Sequence, residues 1–222
     1  YSDGIHDDLN KVFWSLLGWD PERTVEEMTA SYAKVFFRDS NAELAAKALL
    51  GLEDNWRGPV LENTSIPKAL QQWRELWKAL ATEQETNWRL QMYLYRAYFD
   101  AYTQDKARQE KAQEGEANSI LASAGTLGAE AAMDQAMKLL GGTEGPALSA
   151  SALEYRREME RMAPMMLRSI GYQLSVKPPY MARNAERGAM LDTLDQPLNN
   201  RLWLADQFAQ IRELPEEADR VR

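Results

Sequence analysis

Apolar residues return every three or four positions through most of this chain, and no stretch alternates long enough to make a half-buried strand. That period puts Ile5, Leu9, Val12, Phe13, Leu16 and Leu17 on one face of a first helix, with Asp7 and Asp8 in the first turn, where the macrodipole favours negative charge. A second stripe is Val25, Met28, Tyr32, Val35 and Phe36, and a third Leu44, Ala48, Leu49 and Leu52. Leu70, Trp73, Trp77 and Leu80 mark a fourth helix. Trp88, Met92, Tyr95, Phe99 and Tyr102 mark a fifth, with Leu94, Tyr98 and Ala101 widening its apolar arc, the pattern of a helix at the centre of a bundle. Met133, Ala136, Met137 and Leu140 follow, then Tyr155, Met159, Met162, Met166 and Ile170 around a Pro164 expected to kink or split its helix. Leu202, Ala205, Phe208 and Ile211 make the last stripe. Thr24 with Glu27, Ser40 with Glu43, Thr82 with Glu85 and Ser151 with Glu154 have capping-box spacing. The expected fold is all-α, an irregular multi-helix bundle of about seven or eight helices.

A chain of 222 residues is long enough for one such bundle, read as a single domain over 1–222. The polar run Thr103–Asn118 is expected to be the solvated end of helix five. A loosely packed, Ala/Gly/Ser-rich break is expected around 115–150. With 26 Lys and Arg against 34 Asp and Glu the net charge is −8, the wrong sign for duplex nucleic acid. No apolar run approaches the ~20 residues of a membrane span. With no Cys and one His, disulfides and thiolate or multi-histidine zinc sites are excluded. Gly141-Gly142-Thr143-Glu144-Gly145 has no Lys-Ser/Thr and follows no strand, so it is no phosphate loop. The expectation is therefore no cofactor, no metal and no catalytic residue.

The densest polar cluster is Asp3, His6, Asp7 and Asp8, a set suited to proton transfer or to binding hydroxyls, although helix capping explains its acids equally well. Seven Trp and nine Tyr are many for this length, and flat rings stack on sugar faces. Most stand at helical spacing, and Trp73, Trp77, Trp88, Tyr95 and Phe99 are expected in the core. Trp19 and Trp56 belong to no stripe and sit beside chain breaks, which makes them the candidates for a ligand-facing role. Trp14 lies about 200° round the helix from Val12, so Trp14 and Trp19 are either exposed at an interface or packed beneath the loop at 55–65. Arg89 and Arg96 share a face of helix five, and Asp100 follows Arg96 by one turn, as in a buried ion pair or a lined pocket. Met159, Met162, Met165 and Met166 read as core or as an adaptable binding surface. Asn63-Thr64-Ser65 matches a glycosylation pattern.

The segment Tyr1-Ser2-Asp3-Gly4-Ile5-His6-Asp7-Asp8-Leu9-Asn10-Lys11, with Trp14 and Leu17-Gly18-Trp19-Asp20-Pro21 after it, resembles the junction in certain bacterial glycoside-hydrolase-like proteins. There a (β/α)8 barrel gives way to an all-helical C-terminal domain. Leu52-Glu53-Asp54-Asn55-Trp56-Arg57-Gly58-Pro59 and Pro197-Leu198-Asn199-Asn200-Arg201-Leu202-Trp203-Leu204 resemble later parts of that domain. The resemblance implies a non-catalytic helical domain that buttresses an N-terminal barrel. It places Tyr1, Asp3 and their neighbours His6 and Asp7 near the rim, and together with Trp19 and Trp56, singled out by their place outside the stripes, these are the candidate rim or ligand-facing residues, with carbohydrate as the candidate ligand. Barrel sites form at the strands' C-terminal ends, so Tyr1 and Asp3 would lie near the mouth. It further implies a secreted or periplasmic protein. The opening Tyr-Ser-Asp-Gly reads as cut or processed from something longer. The alternative is a stand-alone helical module that binds a protein through its methionine and tryptophan surface.

Overall fold

The computed structural model describes residues 8–175, 177 and 190–221. Among them there are ten α-helices and no strand, so the all-α expectation holds. The helices are α1 (Asp8–Trp19), α2 (Val25–Phe37), α3 (Ala42–Asp54), α4 (Ser65–Ala79), α5 (Trp88–Leu121), α6 (Ala124–Leu127), α7 (Ala129–Leu139), α8 (Ala150–Ile170), α9 (Arg201–Arg212) and α10 (Glu217–Arg220). The chain forms two compact units. One draws on Tyr1–Thr103 and Glu154–Leu194, the other on Gln104–Leu153 and Asp195–Arg222.

The first unit is built on aromatic rings. Trp73 of α4 is fully buried, stacks on Tyr93 of α5 at 5.1 Å and meets Phe37 of α2 edge-on at 5.9 Å. Its indole N–H donates to the Ala48 carbonyl at 2.9 Å, so the ring's polar edge is satisfied inside the core. The buried face of α3 is Ala42, Ala45, Ala48, Leu49 and Leu52, its alanines small enough to seat large rings of its neighbours. The inward face of α2 is Met28, Thr29, Tyr32, Ala33 and Phe37, which leaves the stripe members Val25 and Val35 exposed. Tyr95 is buried as expected. Trp77, Trp88 and Phe99 are only half-buried. Trp88 opens its helix, and Trp77 lies beside the Arg161 guanidinium at 5.2 Å, so both rings sit at the border of the core.

Only one expected capping box forms: the Thr24 hydroxyl accepts from the Glu27 N–H at 3.2 Å, and the Glu27 carboxylate accepts from the Thr24 N–H at 3.0 Å. Ser40 falls in a short 3₁₀ turn, Asp39–Asn41, and Thr82 in another, Ala81–Glu83. The working caps are Asn87, whose side chain accepts from the Leu90 N–H, and Ser149, whose hydroxyl accepts from the Ala152 N–H. Helix α8 runs unbroken through Pro164. An interior proline costs about 3 kcal/mol. Here it is flanked by Met159, Met162, Met165 and Met166, all buried, and their burial offsets that cost. Those methionines are core and form no binding surface.

In the second unit, Ala117, Ala129, Met133, Ala136, Leu140, Leu204 and Phe208 form the apolar cluster. The expected break around 115–150 thus contains packed helices, with alanines permitting close approach. The polar run from Thr103 is not a solvated projection either: Gln104, Lys106 and Glu110 are buried. Glu110 (2% exposed) accepts from Arg201 Nη1 at 3.3 Å and from the Leu198 N–H at 2.6 Å, while Lys106 Nζ lies 3.8 Å from it and donates to the Gln196 carbonyl. Gly145, at φ 95°, lies so close beneath the Arg201 guanidinium that a β-carbon there would come within 2.6 Å of it.

Candidate functional site

Four of the six sequence candidates, Tyr1, Asp3, His6 and Asp7, lie outside the described residues. The other two are on the surface. Trp19 closes α1 at 88% exposure, and Trp56, in the turn after α3, is 70% exposed.

Asp8, at the head of α1, is held by three groups from the first unit's core. Its carboxylate accepts from Tyr32 Oη at 2.6 Å, Arg89 Nε at 2.6 Å and Tyr93 Oη at 3.2 Å. Arg89 also lies 3.6 Å over the Phe36 ring. With its carboxylate occupied this way, Asp8 anchors α1. Burial pushes the Tyr32 and Tyr93 hydroxyls up from the usual tyrosine range, and the Asp8 carboxylate adds to the shift; burial does the same to Tyr95. Unfolded tyrosine ionises near pH 10, while these three keep their protons to higher pH in the fold. Above that point the unfolded chain holds fewer protons than the native one, so stability that is complete below about pH 10 falls as pH rises further. Melts taken from about pH 8 to about pH 11 should show a Tm that declines only beyond about pH 10. A Tm flat across that window would mean the three hydroxyls ionise freely in the fold.

The turn that carries Trp56 is pinned from the side. The buried Asn63 amide donates to the carbonyls of Asp54, Asn55 and Arg57 at 3.0, 3.0 and 3.1 Å, and its oxygen accepts from the Ser65 N–H at 2.8 Å. The nitrogen that a glycan would need is fully engaged, so the Asn63 sequon serves the fold. Gly58 turns the chain at φ 75°, a conformation that other residues rarely adopt. Trp56 then lies beside Arg96, whose guanidinium is 4.6 Å from the ring centroid. Arg96 Nε donates to Asp100 at 2.9 Å, and the Asn55 amide donates to the other Asp100 oxygen at 2.8 Å. The pair is half-buried, and it lines a pocket of about 260 Å³ beside Phe99, with Ile66 beneath, so the lined-pocket reading is the one it meets. Asp100 is the sole carboxylate among its lining residues. An acid/base pair for glycoside cleavage needs two. The pocket can bind and orient a ligand through a flat ring, a cation and an anion.

A second hollow, about 460 Å³, opens between α1, α2 and α3, where Glu26, Glu53 and Asp54 face Phe13 and Arg57. Beside it α1 buries only Leu9. Trp14 is 80% exposed, and Leu17 and Trp19 are also exposed, so neither tryptophan packs beneath the loop at 55–65. Among the described residues no group of His, Asp or Glu is placed to hold a metal ion, and no helix is long and apolar enough to cross a membrane. Sequence reasoning missed Asn55 and Asn63, because their roles depend on carbonyls and a carboxylate that only the folded turn gathers. Comparisons with protein-family models, curated proteins and solved structures found no match to the chain.

Proposed function

We propose that the chain is the non-catalytic helical domain that follows a (β/α)8 barrel in a bacterial, secreted or periplasmic, glycoside-hydrolase-like protein. It buttresses the barrel through α1 and contributes to the carbohydrate-facing rim. The observation that carries this reading is the outer edge of α1. A helix of 12 residues with one buried side chain and two tryptophans at 80% and 88% exposure presents apolar surface that a partner would cover. The resemblance of Tyr1–Pro21 to a barrel junction names that partner. The alternative, a stand-alone interaction module, is favoured by one separate observation: Leu198, Leu202 and Trp203 are exposed at the start of α9.

The test begins with the coding sequence immediately upstream, which should encode a barrel. In the full protein, a protease site introduced ahead of Asp8 should yield two pieces that stay associated after cleavage. Buried interface tryptophans each contribute about 2 kcal/mol or more. Trp14→Ser with Trp19→Ser should therefore weaken that association by several hundredfold, about 4 kcal/mol for the two. An upstream region without a barrel, or unchanged association in the double variant, would overturn the reading.

A further inference from the structure

We infer that the Trp56 pocket is a saccharide subsite that takes a single pyranose ring, stacked on the indole and held by hydroxyl bonds to Asp100 and Arg96. Three features favour this occupant. At about 260 Å³ the pocket lies just under the ~300–1,000 Å³ of sites for larger ligands, so it fits one ring and not an extended chain. Its surfaces divide as a sugar's do: Trp56 and Phe99 offer apolar faces for the ring's C–H side, and the Arg96–Asp100 pair offers a donor and an acceptor for the ring's edge. An ionised carboxylate has about four lone-pair positions. Asp100 gives one to Arg96 Nε and one to the Asn55 amide, which leaves capacity for a sugar's hydroxyls.

The site is also preorganised. Asn63 fixes the three carbonyls around Trp56, Gly58 completes the turn, and Arg96 holds the indole from one side, so little ordering remains for a ligand to impose. The choice of a saccharide over another flat ligand rests on the carbohydrate-active reading above. The site itself does not, because every residue in it belongs to the first compact unit and none to α1.

Saturation-transfer NMR and calorimetry on the intact chain test the inference. The probes are tetrasaccharides of glucose, mannose, galactose and N-acetylglucosamine in α and β linkage, with cyclohexanol as an apolar control. At least one saccharide should bind, with transfer concentrated on one ring. Trp56→Ala should weaken it at least about tenfold, and Trp56→Phe, which keeps a flat face, should hold affinity within about threefold. Trp56 is exposed, so both variants should keep the parent's circular dichroism and Tm. Binding by none of the saccharides, binding of cyclohexanol alone, or saccharide affinity indifferent to Trp56→Ala overturns the subsite. Trp14→Ser with Trp19→Ser should leave this titration unchanged, so failure of the barrel reading and failure of the subsite are distinguishable.

Discussion

Glu110→Ala should destabilise the second compact unit by about 3–5 kcal/mol, the cost of leaving buried charge without its partner. Glu110 is 2% exposed and Arg201 3% exposed, and water cannot replace the lost carboxylate at either Arg201 or Lys106. The Leu198 N–H, which donates to Glu110 at 2.6 Å, would lose its acceptor as well. Urea unfolding followed by circular dichroism should show a lower midpoint with most of the slope preserved. The triple variant Lys106→Met, Glu110→Leu and Arg201→Met should recover much of the loss, because an apolar set of similar volume leaves no charge to desolvate. A single-variant loss below about 1 kcal/mol would put the group within reach of water.

Trp73→Ala should cost the first unit about 3–5 kcal/mol, as expected for a large ring removed from a packed core. The ring touches Tyr93 and Phe37, and its N–H adds a bond to the Ala48 carbonyl, so the variant opens a cavity and loses a buried hydrogen bond together. For a chain of this size that corresponds to a drop in Tm of roughly 6–20 °C. Trp73→Phe should cost less, since it refills part of the volume. Trp88→Ala, at the border of the core, should cost far less than Trp73→Ala. Equal costs would mean that the packing around Trp73 relaxes to fill the void.

The helices were legible because each buries one face, and burial writes a period of 3.6 into the sequence. Reading was least dependable where a helix buries side chains all round: on α5 the stripe through Trp88 and Phe99 is no more inward than Leu90, Tyr93 and Ala97. Capping boxes misled at Ser40 and Thr82 because short 3₁₀ turns absorb those residues before the next helix begins. The polarity of Lys106 and Glu110 pointed outward; their i, i+4 spacing was legible, but the Arg201 guanidinium that joins them inside the fold stands 91 residues beyond Glu110, out of reach of any local pattern. At the candidate site, Trp56 was visible as an aromatic residue outside every stripe, and Arg96 with Asp100 as an i, i+4 pair. The carbonyl cluster around Asn63 left no trace in spacing, because a sequon and a turn clamp are spelled alike.

The two units are interleaved along the chain: each is made from two separate segments, and each is interrupted by part of the other. Synthesis from the N-terminus therefore delivers them out of step. Lys106 and Glu110 emerge from the ribosome early and remain hydrated, while Arg201 and the Gln196 carbonyl that complete their burial arrive about ninety residues later. During that interval the small-residue cluster of α7 lacks Leu204 and Phe208 and has only a partial core to join. Capture of α9 therefore waits on the ion pair that holds it, and Glu217 of α10, which accepts from the Ala129 N–H at 2.7 Å, reaches the same unit later still.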